Sequence, residues 1–120
     1  MKVTNLANGK TVAEKVSVAK SFLKRAKGLL FSPPLKENRG LWIEPCNAVH
    51  TFFMSYDIDV IFLSENCEVL HIIESMKPWK ISKIVPESKA VLELPAGTAK
   101  RIPINIGDRF RLLSEDEQTN

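Results

Sequence analysis

"DVIFLSENCEVLHIIESM", residues 59–76, carries the fold. Two runs rich in Val, Ile, Leu and Phe flank Glu65-Asn66-Cys67, and that pattern predicts a β-hairpin with a tight turn. Immediately upstream, "VHTFFM" (49–54) has large side chains at neighbouring positions and is expected to be a central strand covered on both faces. Before it, "GLWIEP" (40–45) is a strand bounded by Gly40 and Pro45.

Further out the same grammar continues. "KVTNL" and "TVAEKVSV" alternate on either side of Asn8-Gly9, a strong hairpin-turn signal. "AKSFLKRAKGLLF" spaces Phe22, Leu23, Ala26 and Leu30 as one helical stripe, giving a short helix near residues 19–28 that Pro33-Pro34 forbids from continuing. Downstream, "AVLELP" (90–95) is a strand, "PAGTAKR" a helical turn near 96–101, and "GDRFRLL" the last strand. Short strands at frequent turn signals with one short helix predict a mainly β protein, an antiparallel β-sandwich or partly closed barrel. A single domain over residues 1–114 is expected, with 115–120 a frayed polar tail.

The totals set outer bounds. A chain of 120 residues, 44% apolar and 26% charged, can bury a core without staples. Its 17 basic and 14 acidic residues are interspersed, and the densest basic stretch, Lys20, Lys24, Arg25 and Lys27, has the spacing of a solvated helix face. No nucleic-acid partner is expected. The opening "MKVTNLANGKTVAEKV" lacks an apolar run of secretory length, and no run is long enough to span a bilayer. With only two cysteines, the expectation is a reduced, cytoplasmic protein with no membrane partner.

Several blocks together are similar to a known family. "RAKGLL" (25–30), "HTFFMSYDIDVIFL" (50–63), "VLELPAGTAKR" (91–101) and Gly107-Asp108 resemble domain-of-unknown-function family 192, over roughly residues 15 to 112. The resemblance implies a small bacterial and archaeal domain, mostly antiparallel, of jelly-roll-like character. It implies no activity. Family members often carry Gly at the turn where this chain has Cys67.

Cys46, His50, Cys67 and His71 are four soft ligands, the number a closed zinc site requires. Geometry weighs against it. On an extended strand Cys46 and His50 are about 13 Å apart at about 3.3 Å per residue, whereas two zinc ligands can be only about 4 Å apart. A site needs the 45–47 segment to curl back, or His50 to meet His71 across the sheet. The same separation opposes a Cys46–His50 nucleophile and base. No metal or cofactor is expected.

The stronger signal is polar side chains inside apolar strands: His50, Thr51, Asp59 and Glu93. A buried carboxylate must be paired, protonated or wet. Asp59 can accept main-chain hydrogen bonds at its strand entry, and Glu93 can pair with Arg101, Lys100 or His50. Trp79, after Pro78, offers an aromatic on a connection. Trp42 and Met54 read as core.

Three functional readings follow. In the first, the chain is a small binding module, with His50, Thr51, Asp59 and Glu93 lining a polar recess and Trp79 closing it over a sugar-like or other small polar molecule. The alternative is a small hydrolase or lyase using His50 with Asp59 and Glu93 as acid and base, although no G-x-S-x-G or phosphate loop is present. The third is a protein-interaction accessory domain that uses a sheet edge or the Trp79 loop.

Overall fold

A computed structural model describes residues 1–20 and 34–114. Eight strands and one short helix occur among them: β1 (Lys2–Asn5), β2 (Thr11–Ala13), β3 (Lys15–Ala19), β4 (Arg39–Ile43), β5 (Ile58–Leu63), β6 (Val69–Met76), β7 (Ala90–Pro95), α1 (Thr98–Arg101) and β8 (Phe110–Leu113). They form two sheets, of order β2-β1-β8 and β3-β4-β7-β5-β6, and neither closes into a barrel. The result is a small sandwich-like β domain.

The hairpin at the centre of the sequence forms as expected. β5 and β6 pair antiparallel, and at their turn the Ser64 N–H donates to the Glu68 carbonyl at 2.9 Å. Cys67 takes φ 61° there, the left-handed conformation that glycine adopts without cost. The β1–β2 hairpin also forms, with Gly9 at φ 72°, and α1 follows Gly97 at φ 92°.

Two expectations are corrected. "TVAEKVSV" is not one strand. It breaks at Glu14, where the Asn38 carbonyl accepts from both Glu14 and Lys15 N–H groups, and passes from one sheet to the other. Its second half, β3, pairs parallel with β4, while the other pairs of the larger sheet are antiparallel, so the sheet is mostly antiparallel as expected. "VHTFFM" is not a strand either: His50 makes a single isolated bridge with Ile81, and Phe53 at φ 66° turns the chain away. Past Ala19, which ends β3, and Lys20, the helix expected over 19–28 lies outside the described residues, as does the tail 115–120.

Both faces of the five-stranded sheet are buried, which explains strands without clean alternation. Ile61, Leu63, Leu92, Leu94 and Trp42 face the smaller sheet and pack with Val3, Val12 and Phe110. Leu41, Val60, Phe62 and Val91 face the other way, against Val49, Met54, Met76 and Val85. This second core is roofed in part by the connections 44–57 and 77–89, and those two connections position the site.

Candidate binding surface

The two connections run side by side. Cys46 N–H donates to Lys89 C=O (3.0 Å), Val85 N–H to Asn47 C=O (2.8 Å), Ser82 N–H to Val49 C=O (2.8 Å) and Thr51 N–H to Lys80 C=O (2.8 Å). Thr51, fully buried, locks the end of this ladder. Its hydroxyl donates to the Lys77 carbonyl at 2.6 Å and accepts from the Lys80 N–H at 2.9 Å, while its own carbonyl accepts from the Trp79 N–H at 2.9 Å. A threonine that reads as a strand former is therefore a clasp between loops.

Val49, Met54 and Val85 point inward into the second core. The residues between them point out. Phe53 is 56% exposed, Trp79 58% and Ile81 72%. The Phe53 and Trp79 rings lie 4.7 Å apart, Phe52 is 6.0 Å from Trp79, and His50 stacks on Phe52 at 4.9 Å. Phe53 and Trp79 both hold positive φ, 66° and 62°, a conformation that costs bulky residues about 1–3 kcal/mol each. The clasp holds both loops in this strained form and so raises the two rings into solvent.

His50, Thr51 and Trp79 are thus brought together; Asp59 and Glu93 do not join them. Asp59, fully buried, lies on the inter-sheet side of β5. Its two carboxylate oxygens accept from the Ser75 N–H and the Ala99 N–H, each at 2.8 Å. Its neighbour Asp57 pairs with Lys77 at 2.7 Å. Beside Asp59 is a recess of about 220 Å³ lined by Glu74, Ser75, Gly97 and Lys100.

Glu93 faces the second core. Its register partners are Leu41 and Val60, it is 5% exposed, and no hydrogen bond or ion pair joins it to a described residue. Burial pushes its carboxyl up to about 7. Tyr56 lies close enough that, after its own burial, the Glu93 charge raises its phenol further. The partners expected for Glu93 are elsewhere: Arg101 pairs with Glu37 at 3.1 Å, Lys100 borders the recess, and His50 stacks in the aromatic cluster. The polar recess expected from the sequence is not assembled.

Nor do the four soft ligands meet. Cys46 Sγ donates to the Ala48 carbonyl, Cys67 occupies its turn, and the His71 ring lies against Phe62 at 5.6 Å. No group of three or more metal-ligating side chains occurs among the described residues. Sequence reasoning missed Phe53 and Ile81. For Ile81 the available signal was "KPWKISKI" (77–84), where a lysine recurs at every third position and the apolar residues between follow no strand alternation.

The sheet order defines a two-sheet β domain, and two clasped connections raise an apolar surface on it. The chain belongs to domain-of-unknown-function family 192, whose model, described as Uncharacterized ACR, matches residues 3–112. A UPF0127 protein of Pyrococcus horikoshii is 36% identical over 103 residues, covering 80% of this chain and 85% of the relative. Another UPF0127 protein, from Thermococcus sibiricus, is 31% identical over 96% of this chain and 77% of its own. Two solved structures share the fold. A protein of unknown function from Novosphingobium aromaticivorans superposes with a TM-score of 0.79 at 23% identity, over 93% of this chain and 84% of that one. A Sinorhizobium meliloti protein provisionally labelled a transcription regulator gives 0.78 at 24%, over 92% and 91%. At these identities the likeness is one of fold alone.

Proposed function

We propose that the chain is a binding module, and that its contact surface is the platform of Phe53, Trp79 and Ile81. This is the interaction-domain reading of the sequence. The single observation that carries it is the exposure of three large apolar side chains on two clasped loops, 56% to 72% each. Contiguous exposed apolar patches on small domains mark contact sites.

The small-ligand reading loses the recess it was built on, since Thr51 and Asp59 already serve main chain and Glu93 is buried on the far face from Asp59. One observation keeps a narrower version: the recess of about 220 Å³ beside Asp59 is bordered by polar groups of Glu74, Ser75 and Lys100. The acid–base reading has the same difficulty, with its two carboxylates on opposite faces of one sheet. A cytoplasmic setting fits a chain in which both cysteines stand as thiols.

A photocrosslinking phenylalanine analogue in place of Ile81 tests the proposal in cells producing the protein. Adducts should form there, and not with the same group in place of Arg111, an exposed residue of the smaller sheet. Equal labelling at both positions, or none at 81, refutes the platform as the contact surface.

A further inference from the structure

We infer that the platform docks onto an anionic lipid surface, an inference that rests on the binding reading above and names its partner. The charge pattern argues for it. Residues 76–86 contain Lys77, Lys80 and Lys83 and no acidic residue. Lys77 is balanced by Asp57 at 2.7 Å. Lys80 and Lys83 are exposed and make no ion pair with a described residue, so both remain available to phosphate headgroups.

The apolar pattern agrees. Trp79, Ile81 and Ile84 alternate with those lysines along "WKISKI" and are 58%, 72% and 65% exposed. Side chains raised this far offer little to a peptide that must be gripped in a groove, but they can enter the headgroup–acyl boundary, where indole is at home. Lysine stems then run along the apolar layer with their ammonium groups in the headgroup region. A second copy of this chain is a poorer occupant, because a two-fold contact would set lysine against lysine. Among the described residues no helix is long and apolar enough to cross a membrane. The expectation of no membrane partner rested on the lack of a spanning run, and a surface contact requires none.

Loop rigidity contributes. The Thr51 clasp fixes the backbone on either side of Trp79, so docking orders little that is not ordered already.

Sedimentation of the purified full chain with phosphatidylcholine vesicles, with and without phosphatidylglycerol, tests the inference. Trp79 emission provides a second readout, because the other tryptophan, Trp42, is only 3% exposed and gives a constant background. The expected result is association with the anionic vesicles, little with the neutral ones, and a blue shift of Trp79. Trp79→Gly keeps the positive φ that position needs; combined with Ile81→Ser it should weaken association at least about tenfold while circular dichroism and Tm report an intact fold. Lys80→Glu with Lys83→Glu should weaken it more than about twentyfold on anionic vesicles.

No association with anionic vesicles overturns the inference, as does association that either pair of substitutions leaves unchanged. If vesicles fail while the crosslinker at position 81 captures a protein, the lipid partner is wrong and the platform reading stands. Silence in both experiments overturns both.

Discussion

Asp59 and Glu93 are one register step apart on adjacent strands, Asp59 opposite Leu94 and Val60 opposite Glu93, yet they sit on opposite faces of the five-stranded sheet. One carboxylate is saturated by main-chain donors and the other stands among apolar side chains. The two acids therefore respond to mutation in opposite directions.

Asp59→Asn should destabilise the protein. An amide presents an NH2 where the carboxylate presented a second acceptor, so one of the Ser75 and Ala99 N–H groups loses its partner. The cost expected is about 1–3 kcal/mol, and Asp59→Ala, which strands both donors, should exceed it. Urea unfolding followed by tryptophan emission measures both. A neutral Asp59→Ala would show that the two hydrogen bonds do not secure β6 and α1 to β5.

Glu93 makes stability depend on pH. Its carboxyl, ordinarily near 4.5, is raised to about 7 in the fold. Below pH 4.5 both folded and unfolded chains are protonated, and this group contributes no slope. Between 4.5 and 7 the unfolded chain releases the proton while the folded chain retains it, so stability falls as pH rises. Above 7 the loss is complete, at about 3 kcal/mol. Glu93→Gln should abolish that slope and raise Tm at pH 8. A variant less stable than the parent at pH 8 would mean that the carboxylate has a favourable partner.

Thr51→Val preserves shape and removes the hydroxyl that joins Lys77 and Lys80. The expected cost is about 1–3 kcal/mol, because the Lys80 N–H is left without an acceptor. Hydrogen exchange should speed up at Trp79 and Lys80 and stay unchanged in β5 and β7. Uniform acceleration across the sheet would make Thr51 a general core residue rather than a clasp.

Cys67 occupies a left-handed position at φ 61°. Cys67→Gly removes about 1–2 kcal/mol of backbone strain and loses about 0.5–1 kcal/mol to unfolded-chain entropy, so it should leave stability level or slightly higher. Cys67→Val, β-branched, should be less stable than Cys67→Gly by more than about 1 kcal/mol in thermal unfolding.

Much of the sheet was legible because its signals are local. Asn8-Gly9, Glu65-Asn66-Cys67 and Gly97 each specify a turn through backbone preference, and the runs they bound became strands. The parallel β3–β4 pair was not legible, since nothing in "KVSVA" or "RGLWI" distinguishes parallel from antiparallel neighbours. "VHTFFM" misled for a related reason. Its aromatics have strand propensity, while its actual partners, Lys77, Trp79 and Lys80, lie 26 to 29 residues from Thr51 and bond its hydroxyl and main chain. The site was half legible: Trp79 and its neighbours His50 and Thr51 were singled out, but the polarity of Asp59 and Glu93 reflects a helix anchor and a buried acid. Composition alone cannot separate a polar group that binds a ligand from one that binds its own backbone.

A single residue, Glu14, separates β2 from β3, and the Asn38 carbonyl pins both of its flanking amides. The two layers are welded at that corner and cannot slide past one another without tearing it. Slow amide exchange in Val3 and in Val16 should consequently share one opening free energy, the whole domain yielding together instead of layer by layer.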